Sequence, residues 1–132
     1  MLQGAVLVPA GDAFTPRQID EMVRAAGQAS AQSGLRFSVF VGQSEGEPRV
    51  FAERLLAALG DEAPSAVLIL VDPSNRRLEI VTGQIASKRL DDRACGLATL
   101  SMTSAFSGGE IVSGVVTGLR MLGDSVRVSS AR

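Results

Sequence analysis

The chain has 132 residues, 45% of them apolar, which is enough for one domain with its own core and too little for two ordinary ones. Its 13 basic and 14 acidic residues are mixed along the sequence for a formal charge of −1, so no basic stripe exists to follow a phosphate backbone, and nucleic acid is not an expected partner. With no histidine and a single cysteine, Cys95, the sequence excludes Ser-His-Asp and Cys-His catalysis, a zinc-hydroxide centre and an internal disulfide.

The opening "MLQGAVLVPAGD" has no basic region and only a short apolar run, so it does not read as a signal peptide. No stretch approaches the roughly 20 apolar residues of a membrane span. The expectation is a cytoplasmic protein without an integral membrane segment. Within this stretch "AVLV" is a candidate leading strand at a sheet edge.

"FTPRQIDEMVRAAGQASAQSG" then predicts a helix over about 15–33. Thr15 and Gln18 form a capping box, Pro16 suits the first helical position, and Phe14 and Ile19 are spaced as a hydrophobic staple. Ile19, Met22, Val23, Ala26 and Ala29 make the apolar stripe, and Gly34 stops it. "RFSVFV" (36–41) predicts a strand. Pro48 opens a second helix that carries Phe51 and Leu55 and ends at Gly60. "SAVLILVD" is continuously apolar, as expected of a central strand covered on both faces. "DPSN" (72–75) is turn chemistry, so "RRLEIVTG" should return antiparallel to that strand as a hairpin. Two helices follow. One places Leu90, Ala94, Leu97, Ala98 and Ala105 on one face, and the other places Ile111, Val115, Leu119 and Leu122 on another. Gly96, Gly114 and Gly118 permit close helix packing. The predicted fold is a three-layer α/β/α sandwich, with a small mixed sheet, a β-hairpin and helices on both faces. It occupies residues 1–122 as one domain, followed by a tail over 123–132.

That order, with "RRLEIVTG", "LDD" and a late "FSGGEIVSGVVTGL", resembles the TPM domain family, and in particular its actinobacterial branch of small proteins catalogued as a domain of unknown function. The resemblance covers roughly residues 35–122. It implies an α/β/α sandwich with acidic loop-end residues that hold a divalent cation, and an acid phosphatase activity proposed for plastid members. Matched residue by residue, it assigns a Ca²⁺ or Mg²⁺ site to Asp72, Asp91, Asp92 and Glu110. Family members are often exported or membrane-anchored, and neither feature is evident here.

Each carboxylate also has a structural reading. Asp72 precedes proline at a turn. Asp91 and Asp92 could serve a hard cation or simply open a helix, where the macrodipole favours them. Glu110 stands three residues after Ser107, the spacing of a capping box for the last helix. Lys88 and Arg89, with Arg76 and Arg77, are candidate phosphate contacts. Cys95 lies at the rim of an apolar helix face and reads as a small hydrophobe. Two functions therefore stand open: a non-catalytic interaction or assembly module with a protein partner, or a metal-dependent phosphatase-like hydrolase using Asp72, Asp91 and Asp92.

Overall fold

The computed structural model describes residues 5–9 and 14–127. Among these residues the sheet has four strands in the order β1 (Ala5–Leu7), β2 (Arg36–Val41), β3 (Ala66–Asp72) and β4 (Arg77–Thr82). β1, β2 and β3 run parallel, and β4 returns antiparallel to β3 as the expected hairpin, with Asp72 opposite Arg77 and Val67 opposite Thr82. "AVLV" does supply the edge strand.

Helix α1 (Pro16–Ser33) forms as its caps require. The Thr15 amide donates to the Gln18 side chain at 2.8 Å and the Gln18 amide donates to Thr15 Oγ1 at 3.1 Å, while Gly34 closes the helix in the left-handed region at φ 80°. Its buried stripe is Met22, Ala26 and Ala29, with Ser30 and Ser33; Val23 falls outside it and is exposed. α2 (Pro48–Ala57) is capped by the Glu47 carboxylate, and a 3-10 turn over Gly60–Ser65 leads into β3. A short α3 (Ala86–Arg89) precedes α4 (Asp92–Ser107) and α5 (Ile111–Ser125). None of the helices among the described residues is long and apolar enough to cross a membrane.

Alternation along the strands divides the core. Phe37, Val39, Val41, Val67, Ile69 and Val71 face α1, α4 and α5, whereas Phe40, Leu68, Leu70 and Val81 face α2. The result is the expected three layers, with three long helices on one side and one on the other. Both parallel crossovers step the same way across the sheet yet lie on opposite faces. They are therefore of opposite hand, and one departs from the usual right-handed rule.

α4 packs differently from the sequence expectation. Ala98 and Met102 are its buried residues, while Leu97 is 50% exposed. α5 meets α4 closely at Gly114 and Gly118: a methyl at Gly118 would stand 2.6 Å from Met102 Sδ, and one at Gly114 would stand 2.8 Å from the Phe106 ring. The α4 face in that contact carries Met102 and Phe106, and Leu97 lies off it. Gly96 has nothing within 4 Å and serves no such contact. α5 continues beyond the expected boundary at 122, because Gly123 is buried against Ala29 of α1. Of the expected tail, residues 128–132 lie outside the described residues.

Candidate functional site

In α/β sheets of this kind, ligands gather at the carboxyl ends of parallel strands. Here that edge is formed by the loops after β2 and β3, the α4–α5 connection and the start of α1. Two chambers open there. One of about 680 Å³ is lined by Gln18, Gln43, Ser74 and Glu110 among others, and one of about 310 Å³ by Asp72, Arg76, Arg77, Phe106 and Ser107 among others. Pro73 and Ile111 line both, so the two chambers are neighbours along this edge, which we call the cleft.

Asp72 is the organising residue of this edge. It is fully buried at the end of β3. Its Oδ2 accepts from the Ser44 amide (3.0 Å), the Ser44 hydroxyl (3.1 Å) and the Asn75 side chain (2.9 Å), and its Oδ1 accepts from the Ser74 hydroxyl (3.0 Å) and the Asn75 amide (3.2 Å). Burial alone would raise its pKa; the hydrogen bonds from Ser44, Asn75 and Ser74 outweigh it and bring the pKa down to about 2. The carboxylate is ionised at neutral pH and ties the loop after β2 to the hairpin turn. Five donors on two oxygens occupy the roughly four lone-pair positions of a carboxylate, so a cation could enter only by displacing them.

The structure does not gather the remaining candidates around it. Asp91 is the N-cap of α4, accepting from the Ala94 amide at 2.9 Å, and Asp92 occupies the first turn. Asp72 shares the smaller chamber with Thr103 and Ser107, in the last turns of the same helix, whose 16 residues span about 24 Å. Asp91 and Asp92 therefore stand about a helix length from Asp72. Among the described residues no three Asp, Glu or Cys side chains cluster closely enough to hold one ion. A Ca²⁺ or Mg²⁺ shared by Asp72, Asp91 and Asp92 does not fit this geometry. Glu110 does lie at the cleft, but not through the expected capping box: it is itself the N-cap residue of α5 without a side-chain cap bond, and the Ser107 hydroxyl donates to the Thr103 carbonyl instead. Two glycines between them, Gly109 at φ 81°, turn the chain before the helix begins.

Lys88 and Arg89 sit just before α4, at the end away from the cleft. Lys88 is exposed. Arg89 is occupied, because its Nη2 donates to the Ser33 carbonyl (2.8 Å) and its Nε to the Arg127 carbonyl (2.9 Å). It is a backbone clamp, and a phosphate contact would require its release. Cys95 is half-buried, and burial together with the Asp92 and Asp91 charges pushes its pKa up, so the thiol stays protonated and inert. Ser44, which closes the Asp72 network, was not singled out in the sequence. It is one serine in a polar loop, and only its partner 28 positions away reveals its role.

Comparison with known proteins agrees with this architecture. The chain is similar to the N-terminal domain of the cg2496 protein of Corynebacterium glutamicum, determined in solution by NMR. The TM-score is 0.74 at 16% identity over 99% of this chain and 84% of that one. It is similar also to the BA42 protein of Bizionia argentinensis (TM-score 0.76, 18% identity, 85% and 80% of the two chains). An N-terminal domain from P. gingivalis gives 0.77 at 18% identity, over 91% and 80%. At these identities the likeness shows the fold alone. In sequence, the chain is 28% identical over 88 residues to the uncharacterized protein Rv2468c of Mycobacterium tuberculosis, which covers 67% of this chain. The chain spans about half the length of that relative, 52%. Residues 8–123 match the family model described as "Domain of unknown function (DUF5130)", and the chain belongs to that family.

Proposed function

We propose that this domain is a TPM-like, non-catalytic interaction module whose recognition surface is the cleft at the carboxyl ends of β2 and β3. The observation that carries this reading is the condition of Asp72. Asp72, the buried carboxylate at that edge among the described residues, is saturated by five donors from three residues, so it fixes the shape of two loops instead of presenting free lone pairs to an ion or a reacting group. A rigid edge with an open cleft is what a docking scaffold requires. The TPM likeness supports the same reading in part: of the segments that carry it, "RRLEIVTG" and "FSGGEIVSGVVTGL" become β4 and the α4–α5 junction with α5, beside the cleft, while "LDD" opens α4 at the other end.

The test is hydrolysis of p-nitrophenyl phosphate with Mg²⁺, Ca²⁺ or Mn²⁺ by the wild type and by Asp72→Asn, beside thermal unfolding in EDTA and in each cation. No turnover is expected, and no cation should stabilise the wild type as a specific ligand would, by about 2.7 kcal/mol at 100 times its dissociation constant. Turnover that vanishes in Asp72→Asn would overturn the scaffold reading in favour of a metal-dependent hydrolase.

A further inference from the structure

α4 presents a nearly uncharged face to solvent. Arg93, Leu97, Leu100, Ser104 and Ser107 recur every three or four residues and form one exposed line along the helix, with Arg93 as its one charged member. Leu100, at 69%, is the most exposed large apolar side chain among the described residues, and Leu97, at 50%, stands one turn before it. The solvent side of a helix ordinarily carries charges, as α1 does with Arg17, Asp20, Glu21 and Arg24. Adjacent leucines on an uncharged line mark a contact surface.

This line is complementary to itself. Leu100 stands seven residues, about 10.5 Å, from Arg93 and equally far from Ser107, the last residue of the helix. Arg93 lies in the first turn, the end at which the helix dipole disfavours a cation, and among the described residues no carboxylate is within ion-pairing distance of it. The opposite end of the line carries the partial negative charge of the helix C-terminus, where no described backbone amide bonds the Ser107 carbonyl. A two-fold axis at Leu100 therefore sets each Arg93 at the partner's Ser107, Leu100 against its own copy, and Leu97 over the small side chain of the partner's Ser104. Asp91 and Asp92 lie roughly 100° or more round the helix from this line and stay clear of it.

A different protein would have to supply a cation and an open negative helix end at the matching spacing, whereas a second copy of this chain supplies both by symmetry. We infer that α4 is a self-association surface, on which two copies pair α4 against α4, antiparallel, about a two-fold axis at Leu100. One helix face falls short of the roughly 800 Å² per partner of a standard interface, so the dimer is a weak, exchanging one with a dissociation constant on the order of 0.1 mM. The inference goes beyond the cleft and does not depend on it.

The test is sedimentation equilibrium of the wild type at concentrations up to about 1 mM, where a monomer–dimer equilibrium is expected. Leu100→Glu changes an exposed position, so it should leave the circular dichroism spectrum as it is and raise the dissociation constant at least roughly tenfold. Val50→Glu, at a position 45% exposed on α2, should leave the association unchanged. Arg93→Glu separates dimer from helix: an acid in the first turn should not lower the melting temperature of the dilute monomer, yet it faces the partner's negative helix end and should weaken the dimer about tenfold. In a Cys95→Ser background, Leu100→Cys should cross-link to its own copy under oxidised glutathione, and Val50→Cys should not. A monomer at every concentration, or a dimer that Leu100→Glu leaves intact, would overturn the inference. A dimer that Arg93→Glu leaves intact, or one that cross-links through Val50→Cys as fast as through Leu100→Cys, would overturn the antiparallel arrangement.

Discussion

Ser44 donates both its backbone amide and its hydroxyl to the same oxygen of Asp72, at 3.0 and 3.1 Å, and thereby joins the loop after β2 to the end of β3, 28 residues later. Replacing Asp72 by Asn turns one acceptor oxygen into a donor facing donors, and leaves buried groups unsatisfied. Asp72→Asn should cost on the order of 3 kcal/mol in urea unfolding and Ser44→Ala roughly 1 kcal/mol. Equal small losses would mean that the network does not hold the edge together.

The same network fixes an acid limb. The folded-state pKa of Asp72, about 2, lies below its ordinary value of 3.8. A depressed carboxylate contributes stability that is fully present above about pH 4 and is lost as pH falls through about 2. The urea midpoint of the wild type should therefore fall across that window more steeply than that of Asp72→Asn, which has no group to protonate there. Parallel acid limbs for the two proteins would show that Asp72 is not the titrating group.

Much of this edge was legible in the sequence. "DPSN" announced the turn, "SAVLILVD" the central strand, and Thr15 with Gln18 the capping box, because each depends on residues within a few positions of one another. What was illegible depends on pairs far apart in the chain. Ser30 donates to the Ala26 carbonyl at 2.8 Å and accepts from the Phe37 amide at 2.9 Å, joining α1 to β2, yet in sequence it is an unremarked serine in a helix. Leu97 fits the helical period but lies beside the buried Ala98 and Met102 stripe, and which of two adjacent apolar stripes meets α5 is decided by residues of α5 far along the chain. The proposed carboxylate set failed for a related reason: "LDD" and "VD" are each near a helix or strand end, but opposite ends of α4 separate them, and no local pattern encodes that.

The glycines should separate in sign. At Gly83 a methyl would collide with the backbone carbonyls of Ala63 and Pro64, which cannot move without disturbing the 3-10 turn. Gly83→Ala should cost about 2 to 3 kcal/mol. Gly118→Ala meets the flexible Met102 side chain and gains helix propensity, so its net cost should be smaller, roughly 1 kcal/mol. Gly96 is exposed, helical and unobstructed, and Gly96→Ala should stabilise by about 0.5 to 1 kcal/mol. Thermal melts of the three variants check the order.

Asp91 and Asp92 should separate by role. Asp91→Ala removes the hydrogen bond to the Ala94 amide and should cost about 1 kcal/mol. Asp91→Asn, which can still cap, should cost little. Asp92→Asn loses only a favourable charge in the first turn, about 0.5 kcal/mol, and less at high salt. A cation-dependent melting shift present in the wild type and absent in the double Asn variant would show that the pair binds metal as well as opening a helix.

Arg89 is the last discriminating residue, because the same guanidinium was a candidate phosphate contact. Its Nε donates to the Arg127 carbonyl at 2.9 Å while the Arg127 amide donates to the Arg89 carbonyl at 2.8 Å, and its Nη2 holds the Ser33 carbonyl at the end of α1. One planar group thus fastens the end of α1 and the segment after α5 to the start of α4. Lysine carries the charge but not the fork. Arg89→Lys should therefore resemble Arg89→Ala, with faster hydrogen exchange at the Arg127 amide and a loss of about 1 to 2 kcal/mol. If charge alone mattered, as it would for a phosphate contact, Lys would rescue what Ala loses, and added inorganic phosphate would stabilise the wild type and the Lys variant alike.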